Sequence, residues 1–218
     1  MRGRALIVLI VVAAVIGLGI ASEFSVLSEV SGESHFDGSL ILNDTGWRSA
    51  PANPNVVYVA LLVSEPQLLE ALKSSLYTVI RSHNLTPEFV DEPMNYDLKG
   101  QLVVVFLPHS FSKNRILYRE YGVSGILYYS YAGDAETFTL LTNGKTLSGE
   151  NLEKLAIELR VSSIERLNED RILNQTVSVA YWWKLRVKKG ILTERDPYRA
   201  IAKQIARELD SFLRSSPK

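Results

Sequence analysis

The alternation of apolar and polar positions changes character several times along this chain, and each rhythm predicts a different element. Residues 5–21 form an unbroken apolar and Gly run behind Met1-Arg2-Gly3-Arg4, closed by Ser22 and Glu23. A run with no polar face does not suit an amphipathic helix of a soluble core. As a helix rising 1.5 Å per residue it reaches roughly 25 Å, the short end of a bilayer span, and Arg4 can snorkel to extend it. Arg2 and Arg4 before the run and Glu23 after it direct the cationic flank to the cytoplasm and the remainder outward. The run exceeds a usual signal h-region, which favours a retained single-pass anchor in the cell membrane. Gly19-Ile20-Ala21 carries the small residues that a signal peptidase reads, so release as a secreted soluble protein is the alternative. The expected organisation is a segment of residues 1–22 as anchor or signal, a polar tether over 23–55, and an extracytoplasmic domain over 56–218.

The tether is rich in Ser, Gly, Asp and Asn, ends near Pro51 and Pro54, and offers an edge strand through Leu40-Ile41-Leu42. From Val56 the pattern becomes Val-Val-Tyr-Val-Ala-Leu-Leu-Val, a β-branched apolar run expected of a strand covered on both faces. Ser64-Glu65-Pro66-Gln67 has capping-box spacing with Pro in the first turn, so a helix should begin there. Leu69, Leu72, Leu76, Val79 and Ile80 make its apolar stripe, and His83-Asn84 its end. A short strand at residues 87–91 and a turn at 93–97 follow. A second buried strand covers residues 102–107 and stops at Pro108.

In the second half, residues 116–121 are read as a short helix leading into a strand over 123–131. A hairpin partner over 137–142 follows, then an Asn143-Gly144 turn and a long amphipathic helix over 149–170. Val177, Val179, Tyr181, Trp183, Leu185 and Val187 alternate with Ser178, Ala180, Trp182, Lys184, Arg186 and Lys188. Period two predicts a long strand with one buried face, leaving Trp182 on the basic one. Asp196-Pro197 then opens a last helix striped by Ile201, Ile205, Leu209 and Phe212. The predicted fold class is α/β or α+β, a mixed sheet with helices packed on it, preceded by one N-terminal transmembrane helix.

The order of strand, helix, short strand and strand, followed by Tyr121-Gly122-Val123-Ser124-Gly125-Ile126-Leu127-Tyr128, resembles two kinds of exported envelope module. These are the amino-terminal domain of TolB proteins and the CsgG type. Such modules often carry a Gly-Val pair just before a hairpin strand, and commonly close with a helix like that of residues 200–209. The resemblance implies a binding or assembly part of the cell envelope rather than an enzyme. It extends over roughly residues 56–213, departs at the helix of 149–170, and transfers no functional residue.

Composition narrows the chemistry. The 218 residues contain no Cys and balance 24 Lys+Arg with 24 Asp+Glu. Thiol catalysis, disulfides and Cys-ligated zinc are thereby excluded, and a strongly basic nucleic-acid binder is not expected. Charge is nevertheless divided, with four basic and eleven acidic residues over 23–110 against eighteen and thirteen over 111–218. Sequons at Asn43, Asn84 and Asn174 are compatible with export. No glycine-rich phosphate loop, nucleophile elbow or H-E-x-x-H spacing occurs, so no catalytic residue, metal site or cofactor is predicted.

Trp182, Lys184, Arg186 and Lys188 form the candidate binding face, an amphipathic ring beside cations suited to an anionic surface or envelope partner. The expected function is thus a non-catalytic, membrane-anchored extracytoplasmic binding or assembly module. A hydrolase with a site at His109, Ser110 and Asp91 beyond the strand ends is the competing expectation.

Overall fold

The computed structural model describes residues 30–43, 51–91, 99–133 and 176–215 together with 11 and 135; for 30–43, 176, 177 and 183 it describes the backbone alone. The elements run β1 (Val30–Asn43), β2 (Val56–Val63), α1 (Pro66–Ser82), β3 (Thr86–Val90), β4 (Gln101–Asn114), β5 (Tyr118–Ser130), β6 (Thr176–Gly190) and α2 (Pro197–Ser215). The strands form one mixed sheet in the order β1-β6-β5-β4-β2-β3. β2 is parallel to β3 and β4, whereas the β4-β5, β5-β6 and β6-β1 pairs are antiparallel. A mixed sheet with two helices on it is an α+β arrangement.

The two long apolar runs become β2 and β4 because both sheet faces are covered there. On one face Val57, Val59, Val103, Val105 and Leu107 meet Leu72, Leu76 and Ile80 of α1 and Ile201, Ile205 and Phe212 of α2. On the other face Ala60, Leu102, Val104, Ile126, Tyr128, Val179 and Tyr181 form a second buried cluster. Burying a side chain of this size contributes roughly 1.5–3 kcal/mol, so strands apolar on both faces gain twice per pleat. Polar groups at the sheet end are satisfied in a chain: the Tyr129 hydroxyl donates to Gln101 Oε1 at 2.8 Å, and Gln101 Nε2 donates to the Pro54 carbonyl at 2.6 Å.

The helix ends obey local chemistry, with one correction at the start of α1. Its N-cap is Glu65, without a side-chain capping bond, so the Ser64 capping box does not form. Pro66 at the first turn has no N–H to satisfy, which lessens the need for a cap. The buried stripe begins at Leu68 rather than Leu69. At the far end Asn84 takes a positive φ of 61°, Asn84 N–H donates to Arg81 O, and Leu85 N–H donates to Ile80 O. That is the paired closure expected where a left-handed residue follows the C-cap. α2 starts as its sequence predicts, with the Tyr198 N–H donating to Asp196 Oδ1 at 2.9 Å.

Two strand expectations are also corrected. β4 does not stop at Pro108 but continues to Asn114. Its last partner on β2 is Leu107, opposite Val63, so Pro108 lies where that edge of β4 needs no ladder donor, beside a register shift between Phe106 and His109. Residues 116–121 are not a helix. Arg115 N–H donates to Tyr118 O across a tight hairpin turn with Ile116 almost fully exposed, and residues 118–121 belong to β5.

The predicted turn at 93–97, the strand at 137–142 with its Asn143-Gly144 turn, the helix at 149–170 and, Val11 apart, the apolar run at 5–21 lie outside the described residues. Among the described residues no helix is long and apolar enough to cross a membrane.

One tertiary link ties α1 to α2. His83 at the end of α1 places Nε2 2.8 Å from Asp210 Oδ1, and Arg214 reaches Asp210 Oδ2 at 2.6 Å. The hydrogen bond from His83 above all, then the contacts of Arg214, hold the Asp210 carboxyl below its ordinary range against the opposing effect of burial. A lowered folded-state value means that this contribution is complete above about pH 4 and is lost as pH falls through the lowered value. Asp210→Asn should therefore cost about 1 kcal/mol at pH 7, and the gap to the parent should close at strongly acid pH. Urea unfolding of both proteins across pH checks this; a gap that is constant with pH would contradict it.

Candidate functional site

The sequence places Trp182 with the cations of β6, but the structure separates them. Trp182 pairs with Gly125 of β5, and Leu185 pairs with Val123, with a register shift between the two pairs. The extra residue at the shift reverses which alternate positions face the helices. Ala180 and Trp182 face the helices before it, and Leu185 and Val187 do so after it. Trp182 is consequently 0% exposed within the helix-side core, whereas Lys184, Arg186 and Lys188 lie half-buried on the opposite face. Of the four predicted binding residues, the three cations share a face and the tryptophan does not.

What joins the cations instead comes from the β4-β5 hairpin. Arg186 is opposite Gly122, which is opposite Phe111 on β4; Lys188 is opposite Glu120, which is opposite Lys113. The Phe111 ring lies across Gly122, where a Cβ would fit only if that half-exposed ring moved aside. The Arg186 guanidinium sits 5.8 Å from the centre of the Phe111 ring, and the Lys188 ammonium 5.6 Å from that of Tyr118. Phe111 is itself 43% exposed. Cation and ring pairs of this kind contribute about 0.5–1 kcal/mol at exposed sites and hold long cationic side chains in position.

Glu120 anchors the patch. Its side chain is only 7% exposed, and Arg186 Nε lies 3.3 Å from one carboxylate oxygen while Arg115 Nη2 lies 3.8 Å from the other. A carboxylate taken out of water needs such compensation, and removing either partner would leave it poorly balanced. Arg186 therefore orients the face through Glu120 and Phe111, with Lys184 and Lys188 beside it on the same side of β6. On the other flank, Ser31, Glu33 and His35 of β1 are the register partners of Lys188, Arg186 and Lys184. Tyr118, Glu120 and Gly122 were hidden from sequence reasoning by the helix expected over 116–121. Their alternation with Arg119 and Tyr121 was the available signal.

The competing trio is not assembled. His109 and Ser110 are neighbours on β4, so they point to opposite faces, and Asp91 follows β3 at the sheet edge with β2 in between. From the pairing of Val90 with Ala60 and of Ala60 with Val104, Asp91 and His109 are about 15 Å apart. Direct proton transfer does not reach that far. Among the described residues no group of three His, Asp or Glu side chains is close enough to hold a metal ion.

No protein-family model matches the chain, and no curated protein is similar to it in sequence. Among solved structures it is similar to a PelC dodecamer from Paraburkholderia phytofirmans at 9% identity and a TM-score of 0.35, over 87% of this chain and 99% of that one. A variant of the same PelC gives 10% identity and 0.34, over 85% and 98%.

Proposed function

We propose that the chain is a membrane-anchored extracytoplasmic binding or assembly module of the cell envelope. Its working surface is the face of β4, β5 and β6 that carries Phe111, Tyr118, Lys184, Arg186 and Lys188. The carrying observation is the packing of Arg186 and Lys188 over Phe111 and Tyr118, which presents cations beside an exposed ring. A rim of cations around a partly exposed aromatic suits an anionic protein partner more than a small substrate. The apolar run of residues 5–21 with its cationic flank supports the location. The likeness in element order to TolB amino-terminal and CsgG-type modules supports the same reading.

The test is site-specific photo-crosslinking of the full chain in intact cells. A photoreactive residue in place of Phe111 or Lys188 is expected to give a discrete adduct of higher mass, while one in place of the exposed Tyr77 on α1 gives none. Combining Lys184→Glu with Lys188→Glu should reduce the Phe111 adduct by about tenfold. Absence of any adduct at Phe111 and Lys188, or the same adduct from Tyr77, would overturn the proposal.

A further inference from the structure

α2 carries a second cationic feature, on the side of the sheet opposite the face just described. Arg199, Lys203, Arg207 and Arg214 recur at helical spacing on its exposed side, away from the buried stripe of Ile201, Ile205, Leu209 and Phe212. This ridge borders two clefts. One, of about 1060 Å³, runs between α1 and α2; the other, of about 920 Å³, lies between α2 and β6 over Leu185 and Val187. Arg199, Lys203 and Arg207 line both.

The wall facing them across the first cleft is α1, with Ser74, Ser75 and Thr78. The floor between the walls includes Ala71 and Ala206, whose short side chains leave the groove open along the helices. Its carboxylates are already engaged. Glu70 pairs with Lys73, Asp196 with Arg199, and Asp210 with His83 and Arg214. Lys203 and Arg207, at the middle of the ridge and one turn apart, have no carboxylate within ion-pair distance among the described residues; Arg207 makes only a 3.4 Å contact with Gln204. The centre of the groove is therefore its most positive point.

We infer that this groove binds an extended acidic polysaccharide, with its carboxylates on Lys203 and Arg207 and its hydroxyls against the Ser74, Ser75 and Thr78 wall. Two cations one helical turn apart, Lys203 and Arg207, call for a ligand that repeats its anionic group along its length. The hydroxyl wall and shallow apolar floor complement a sugar chain, which offers many hydroxyls and weakly apolar ring faces. A polyphosphate would use the cations and could accept from the hydroxyls, but it has no apolar ring face to set against Ala71 and Ala206. The inference stands apart from the β-face proposal, since it uses another side of the sheet and different residues.

Titration calorimetry of the full chain in detergent tests it, with a galacturonic acid octamer as probe and a neutral glucose octamer and a linear polyphosphate as comparators. Binding of the acidic octamer is expected, with none for the neutral one and weaker binding for polyphosphate. Lys203→Glu with Arg207→Glu should weaken the acidic octamer by at least about tenfold, and raising salt from about 0.05 to 0.5 M should do likewise. Lys203→Arg with Arg207→Lys should retain most of the affinity, and Lys184→Glu with Lys188→Glu should leave it unchanged. Lys203 and Arg207 are exposed and Lys184 and Lys188 half-buried, and an unchanged thermal midpoint confirms that each variant is folded. No binding of the acidic octamer, equal binding of the neutral one, tighter binding of polyphosphate, or indifference to the Lys203 and Arg207 reversal would each overturn the inference.

Discussion

Trp182→Ala is expected to lower the unfolding free energy by about 3–5 kcal/mol, because it removes the largest fully buried side chain among the described residues and leaves a cavity between sheet and helices. For a domain whose total stability is about 5–15 kcal/mol, that is a large share. Trp182→Phe keeps much of the volume and should cost about half as much. Urea unfolding followed by circular dichroism of the full chain in detergent makes the comparison. A cost below about 1 kcal/mol for Trp182→Ala would place the ring at the surface beside the cations. In crosslinking through Phe111, any loss caused by Trp182→Ala should track the loss of folded protein.

The second large effect is expected at Gly125. A Cβ there would overlap the Phe106 carbonyl oxygen and come within 2.8 Å of Leu107 Cδ2 and 2.9 Å of Leu107 Cα. Backbone of a paired central strand cannot retreat, so Gly125→Ala should cost about 2–3 kcal/mol. Gly122→Ala provides the comparison. Its Cβ would meet only the Phe111 ring, the end of a half-exposed side chain that can swing away, and the cost should stay below about 1 kcal/mol. Equal costs at the two glycines would show that the β4-β5 contact at Phe106 is looser than described.

The parts of this fold that sequence made legible are those in which a local rule and the tertiary environment agree. Residues 102–107 read as a doubly covered strand because both sheet faces are buried there, whereas in Val56–Val63 the face of Tyr58 and Leu62 is only half-buried. Asp196-Pro197 reads as a helix start because the cap bond is local. Pro108 misled because a proline ends a strand only where the ladder needs its donor, and that depends on how far β2 extends. Period two along β6 predicted one buried face, yet Ala180 and Trp182 are buried on one side while Val179 and Tyr181 are buried on the other. The residue inserted by the bulge lies next to Trp182, and two adjacent tryptophans gave the alternation no gap in which to reveal it. The cations of the site were visible as a row on one strand. Their aromatic and acidic neighbours, Phe111, Tyr118 and Glu120, come from another hairpin, and only strand pairing brings them alongside.

The pairing of β1 with β6 constrains how this protein reaches its native state. Asn43 waits for Thr176 and Val30 for Lys189, so the earliest strand stays without its partner until more than a hundred later residues have been made. Contacts that distant are slow to close, because chain entropy opposes them before any pairing rewards it. During synthesis an incomplete chain therefore carries an unpaired sticky ribbon at its front, and a delay before the last third arrives gives that ribbon time to find the wrong companion.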